Sequence, residues 1–332
     1  MKRFNNKFLK IAIVFVTILF ISFNNYTVVY AGEQNLYLGG YVCGFSIDVQ
    51  GSQVVALTEV VGDKGIVSPS KCAGLVVGDV IMSVNGKKIS NSQDFSEILA
   101  NYDGGYLIIE VMRGDTRLFF DVFPEKDVVG SYKIGVFLRD DLQGIGTVTY
   151  VKEDGSFASL GHPVTDNNGK LIEINGGKVY ASSILGVLKG VRGRAGELKG
   201  IFISDKDKGE VYKNSNSGMY GKFYHFDTKN ATKVERGVAR MGSAKILSTV
   251  DGETPKYYDI EIVKTDFRKN NLKNLVIKVT DKNLLEYTGG IVQGMSGSPI
   301  LQDGKLVGAV THVFVNDSSR GFGISIDNML NN

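Results

Sequence analysis

Gly294-Met295-Ser296-Gly297-Ser298-Pro299-Ile300-Leu301-Gln302-Asp303-Gly304-Lys305-Leu306-Val307-Gly308-Ala309-Val310 decides how the rest of this chain is read. A serine stands between two glycines, followed by a short apolar strand, an Asp-Gly turn and a returning strand. Gly294 and Gly297 keep side chains away from Ser296 and permit a backbone path in which successive N–H groups face one point. An exposed serine beside the N–H groups of Gly294 and Ser296 is the arrangement of a nucleophile in an oxyanion hole. Such a serine needs a base, and the chain has only 3 histidines. His162, in Ser159-Leu160-Gly161-His162-Pro163, ends a β-like run before the turn Asp166-Asn167-Asn168-Gly169 and is the expected base. His225 lies among aromatics and reads as an ordinary strand residue. Thr311-His312-Val313 follows the serine hairpin, where a substrate backbone would pair, and is expected to line the pocket. A carboxylate should orient the imidazole. The residues alone leave Asp281, Asp259 and Asp140 open for that role, and Asp281 also reads as the N-cap of a short helix ended by Gly289-Gly290.

The serine stretch resembles the Gly-Asp-Ser-Gly-Gly-Pro nucleophile motif of chymotrypsin-like proteases. Met295 stands where those proteases have an aspartate that pairs with a new N-terminus, so that activation switch is not expected. Ser298 stands where they have a glycine. From residue 131 to 332 the pattern is nearly all β, with short apolar runs and Gly, Asp-Gly or Asn-Gly turns, as in a sandwich or barrel. His162 lies far enough upstream of Ser296 to belong to the other barrel of a double β-barrel.

Upstream, residues 36–123 alternate short strands with turns around one helical stretch, Ser92 to Tyr102. Ala73-Gly74-Leu75-Val76-Val77-Gly78-Asp79-Val80-Ile81-Met82-Ser83-Val84-Asn85-Gly86 resembles the most recognisable part of a PDZ domain. That resemblance makes Gly40, Tyr41, Val42, Cys43 and Gly44 the loop expected to bind a peptide carboxylate through backbone N–H groups. The loop departs from the usual Gly-Leu-Gly-Phe pattern, and packing against the chain itself or binding of internal segments stays open. Residues 124–130 read as a linker.

At the N-terminus, Lys2, Arg3, Lys7 and Lys10 precede an apolar run from Ile11 to Phe23, and Val29-Tyr30-Ala31 carries the small residues of a cleavage site. Residues 1–31 are expected to act as a cleaved secretory signal or an uncleaved membrane anchor. The run alone spans about 20 Å as a helix, against a hydrocarbon core of about 30 Å. Either outcome places the body outside the cytoplasm.

Taking these four positive charges from the net +3 leaves −1, so the body gives no electrostatic reason to expect nucleic-acid binding. With 332 residues, 43% hydrophobic and 22% charged, the composition is that of a globular protein of about two domains. Cys43 and Cys72 can make one disulfide or none. No histidine lies close enough in sequence to another histidine or a cysteine to suggest a metal, and no cofactor is expected. Gly190-Val191-Arg192-Gly193-Arg194-Ala195-Gly196 lacks the Lys-Ser/Thr of a phosphate loop and reads as a solvated basic loop.

The chain as a whole resembles the sporulation stage IV protein B peptidases of endospore-forming bacteria. The resemblance rests on the export segment, the PDZ region, Gly161-His162-Pro163, the run from Thr280-Asp281 through Gly289-Gly290 to Pro299, and Thr311-His312-Val313-Phe314-Val315-Asn316-Asp317. It implies a mainly β protein, a PDZ domain followed by a chymotrypsin-like double β-barrel, with Ser296, His162 and Asp281 as nucleophile, base and supporting acid. It further implies export across the inner forespore membrane into the intermembrane space, self-cleavage, and cutting of a regulatory subunit of a membrane-embedded metalloprotease. That cut leads to activation of a late mother-cell sigma factor. The PDZ partner would be this substrate or the chain itself. Two rival readings are a non-catalytic PDZ adaptor and a general extracytoplasmic quality-control protease.

Overall fold

Alternation of inward and outward residues builds most of this protein. In Lys256–Thr265, for example, Tyr258, Ile260 and Ile262 are buried and the residues between them exposed or half-exposed. The computed structural model describes residues 35–62, 65–166, 169–268 and 271–332. The expected export segment, residues 1–31, lies outside the described residues. No helix among the described residues is long and apolar enough to cross a membrane.

Strand β1 (Leu36–Leu38) is followed by the long β2 (Val42–Leu57). Next come helix α1 (Pro69–Ala73), β3 (Val80–Val84), helix α2 (Ser92–Ala100), β4 (Leu107–Arg113) and β5 (Thr116–Val122). A second long strand, β6 (Val136–Lys152), precedes β7 (Ser156–Ser159), β8 (Ile174–Leu188), β9 (Glu197–Ser215) and β10 (Gly218–Phe223). Strand β6 pairs with β7, β7 with β10, β10 with β9, β9 with β8, β8 with β2, and β2 with β6, so six strands close a first barrel. Cys43, Phe45, Ile47, Val148, Phe157, Val179, Val211 and Met219 fill it.

The second closed barrel contains β11 (Gly242–Ser248), β12 (Lys256–Thr265), β13 (Leu275–Val279), β14 (Pro299–Gln302), β15 (Lys305–Phe314) and β16 (Asp317–Ser325). Helix α3 (Lys282–Thr288) follows β13, and α4 (Ile326–Leu330) ends the chain. The barrels pack through Leu36, Leu38, Tyr150 and Tyr220 against Leu247, Leu301, Ile324 and Met329. The hydroxyls of Tyr150 and Tyr220 both donate to Met329 O, at 3.3 and 2.9 Å.

The PDZ unit is inserted into the first barrel, which corrects the expected order of domains. β2 and β6 each run through both bodies as an antiparallel ribbon. Cys43 and Phe45 face Gly146 and Gly144 in the barrel, while Ala56 and Leu57 face Phe137 and Val136 in the PDZ unit. The PDZ core contains Val54, Ile81, Phe95, Ile109 and Val122, and also Ile134, with Val136 and Leu138 packed against it. Residues 36–49 therefore belong to the first barrel, and residues 134–139 to the PDZ unit. The expected linker is a hairpin of that unit. Glu125–Lys126 pairs with Tyr132–Lys133, and Asp127 accepts from the N–H groups of Val129 and Ser131. Within the unit, Asn85 (φ 50°) and Gly86 (φ 76°) make the tight turn their sequence predicts. The fully buried Asp79 is held by Arg113 at 2.7 and 2.8 Å. At the junction Asp140 accepts from Ser92 N at 2.7 Å, from the Ser92 hydroxyl and from the Ser52 hydroxyl.

Candidate active site

The loop of Ser296 lies where the two barrels meet, just before β14. Its turn requires left-handed backbone at Gly294 (φ 97°) and Gly297 (φ 94°). A Cβ on Gly297 would lie 2.0 Å from Thr147 O and 2.6 Å from Leu160 N, so only glycine lets the loop approach the first barrel this closely. Fully buried threonines of β6 hold it there. Thr147 donates from Oγ1 to Gly294 O (2.9 Å) and from its N–H to Ser296 O (3.0 Å), and Thr149 Oγ1 donates to Gly297 O (2.7 Å).

These anchors aim the loop's donors. A trans peptide points its C=O and N–H in opposite directions. Leu198 N–H holds Gln293 O at 2.9 Å, which turns the N–H of Gly294 the other way. Among the described residues neither Gly294 N–H nor Ser296 N–H finds a protein acceptor, so both are open to a substrate oxygen. Gly297 N–H is occupied by Val310 O at 2.8 Å. The expected oxyanion pair is thus the pair left open.

His162 is delivered by an irregular turn after β7, with Leu160 (φ 66°) and Gly161 (φ 69°) both left-handed. Gly161 packs against Thr311, and a Cβ there would lie 3.0 Å from Thr311 Cγ2. Ser296 Oγ donates to Thr311 O at 2.6 Å. Thr311 therefore touches both the serine and the turn that carries His162, although the serine hydroxyl rests on its carbonyl and not on the imidazole. Catalytic hydrogen bonds often form only once substrate is present.

His162 Nδ1 lies 2.9 Å from Pro163 O. A carbonyl only accepts, so Nδ1 carries a proton and, in the neutral ring, Nε2 keeps its lone pair. Burial lowers the pKa of His162, against a smaller opposing effect of the Pro163 carbonyl. The ring packs on His312, centroids 4.6 Å apart. His312 is pushed down to about 4 by burial, then by the nearby charges of His162 and Lys273. The turn carrying His162 is fixed by Asn214, whose Oδ1 accepts from Val164 N and whose Nδ2 donates to Val164 O and Ile172 O.

Asp281 is not brought to His162. It caps α3, with Oδ1 accepting from Leu284 N at 2.9 Å and Oδ2 from Asp259 N at 3.4 Å. No carboxylate is among the groups that shift His162. Asp259 pairs with Lys245, and Asp140 serves the PDZ junction. His225 is exposed beyond the end of β10. Thr311, His312 and Val313 form a segment of β15 paired with β16 on one side and past the end of its pairing with β14.

Gly40, Tyr41, Val42, Cys43 and Gly44 cannot be a carboxylate loop. Gly40 N–H donates to Val148 O, Tyr41 O accepts from Val148 N, and Val42–Gly44 pair with Ile145–Thr147 inside the barrel. Cys43 is buried and Cys72 exposed, both free, and burial pushes the Cys43 thiol up to about 12. Gly190–Gly196 is a turn bonded to Thr288 O through Gly190 N and to Val315 O through Gly193 N. Among the described residues no three His, Cys, Asp or Glu side chains gather in a metal-binding group. Sequence reading missed Thr147, Thr149 and Asn214. The threonines alternate with Val148 and Tyr150, and every residue from Gly146 to Val151 is buried, so the strand pattern did not single them out.

The family described as SpoIVB peptidase S55 matches residues 130–330. Serine protease HTRA3 of Mus musculus is 38% identical over 58 residues, 18% of this chain and 12% of its own length. A putative zinc metalloprotease, LL2128, of Lactococcus lactis is 26% identical over 136 residues, 41% of this chain and 30% of its own length. The chain thus spans less than a third of these curated relatives. Among solved structures, the PDZ domain of the SdrC-like protein Lmo2051 from Listeria monocytogenes aligns with 27% of this chain and 90% of its own (26% identity, TM-score 0.23). The inactive form of the Rv3671c protease of M. tuberculosis H37Rv aligns with 57% of this chain and 82% of its own (15% identity, TM-score 0.33).

Proposed function

Because the chain belongs to the SpoIVB peptidase S55 family, we propose that it is a serine endopeptidase in which Ser296 attacks a peptide carbonyl with His162 as base. The observation that carries this reading is the pair of open N–H groups on Gly294 and Ser296, beside a serine that rests on Thr311, the residue against which the turn carrying His162 packs. On substrate entry the serine hydroxyl swings from Thr311 O to Nε2 of His162. As Oγ bonds to the carbonyl carbon, its proton passes to Nε2, and the oxyanion is held by the two N–H groups. The imidazolium is steadied at Nδ1–H by Pro163 O, in the place a carboxylate occupies elsewhere. Nε2 then protonates the leaving amine, and water, deprotonated by the same nitrogen, releases the acyl group.

The substrate is a protein segment that pairs with the open edge at Thr311–Val313. The resemblance supports a sporulation role, with cleavage of the chain itself and of a regulator of a membrane-embedded metalloprotease. The basic-apolar N-terminus supports action outside the cytoplasm, in the space between forespore membranes. The test is fluorophosphonate labelling and self-cleavage of the chain, wild type against Ser296→Ala. Both activities should vanish together in the variant. A folded wild type showing neither would overturn the peptidase reading in favour of a PDZ adaptor.

A further inference from the structure

The geometry points to Ser298 as a positioning residue for the oxyanion site, an inference that rests on the peptidase reading. The Ser296 N–H shares its peptide plane with Met295 O. That carbonyl accepts from Ser298 Oγ at 2.6 Å and from Ser298 N at 3.0 Å. Ser298 Oγ also lies 2.8 Å from Ser248 Oγ. Met295, Ser298 and Ser248 are completely buried, so no water replaces these bonds.

A serine hydroxyl has one proton, and the shorter contact assigns that of Ser298 to Met295 O. Ser248 then donates to Ser298, holding its hydroxyl in place. Two donors thus hold Met295 O toward the interior, and planarity turns Ser296 N–H outward to the cleft. Rotation of this one plane would replace the oxyanion donor by a carbonyl. The chymotrypsin-like motif has glycine where Ser298 stands and so has no hydroxyl at this point. This chain has one, anchored on β11 of the second barrel through Ser248. The hydroxyl acts only through the peptide plane and does not touch substrate.

The test compares the wild-type chain with Ser298→Ala and Ser298→Gly, the latter carrying the glycine of the motif. Folded fractions are matched by circular dichroism. Both variants should lose about tenfold in kcat, less than the 10²–10³ of removing a donor outright, with KM within about twofold. A peptide aldehyde, which forms a tetrahedral adduct on Ser296, should weaken by the same factor, while a cleaved product peptide binds as before. A purely structural role would lower thermal stability and leave the aldehyde-to-product ratio unchanged. Wild-type kcat and aldehyde affinity in either folded variant would overturn the inference. Absence of turnover and fluorophosphonate labelling in the wild type would instead sink the peptidase reading beneath it.

Discussion

Replacing Asp281 by asparagine separates two roles for the one carboxylate that sequence and structure use differently. In the structure its Oδ1 caps α3 through Leu284 N at 2.9 Å, and Leu284 is completely buried in the second barrel. Asparagine caps a helix as well as aspartate does, whereas alanine costs about 1 kcal/mol. The 3.4 Å contact to Asp259 N is long enough to add little. For a body of about 300 residues about 1 kcal/mol lowers Tm by about 1.5 °C. Asp281→Ala should show that drop, and Asp281→Asn should stay within about 0.5 °C of wild type. Neither should change kcat of the folded protein by more than about threefold, because His162 takes its orientation from Pro163 O. A triad acid behaves otherwise, since its conversion to asparagine lowers kcat by about 10⁴ with the geometry intact. The assay is thermal denaturation with steady-state cleavage of a peptide, normalised by fluorophosphonate titration. A fall of a thousandfold or more for Asp281→Asn, at unchanged Tm, would refute the capping argument and require a closed state in which Asp281 reaches the imidazole.

Gly297→Ala should abolish labelling of Ser296, because its Cβ would lie 2.0 Å from Thr147 O at a φ of 94°. Wild-type labelling would refute the close approach. Thr147→Val keeps the shape but leaves Gly294 O short of its donor, which costs about 1–3 kcal/mol in a buried site. Denaturant unfolding should show that loss together with a lower kcat, and an unchanged kcat would deny the β6 anchor a part in catalysis. The base must be neutral to act, and burial lowers the pKa of His162, so the acid limb of kcat/KM should fall below the ordinary value of 6.5. A limb centred above 6.5 would refute the assignment. Both site imidazoles are depressed, so the stability they contribute is full above about 6.5 and lost as the pH falls through their folded values, about 4 for His312. His312→Gln should flatten the fall of Tm across that window.

The serine loop, its two open N–H groups and His162 as the proposed base were legible because each depends on local chemistry. Glycine at 294 and 297 permits left-handed backbone, Asn85-Gly86 makes a tight turn, and three histidines leave few choices of base. Residue alternation likewise marked strands at 44–49 and 144–151, and both are present. Alternation tells which residues face inward and says nothing about which interior they face. A strand such as Val42–Leu57 can fill two cores, and so the PDZ unit, read as a preceding domain, is an insertion in the first barrel. The same limit misplaced Gly40–Gly44 and hid Thr147 and Thr149, whose partners lie about 150 residues away along the chain. Asp281 shows the difference most simply. Its cap lies three residues on and can be read from the sequence, while its separation from His162 is a relation between two barrels that only their packing decides.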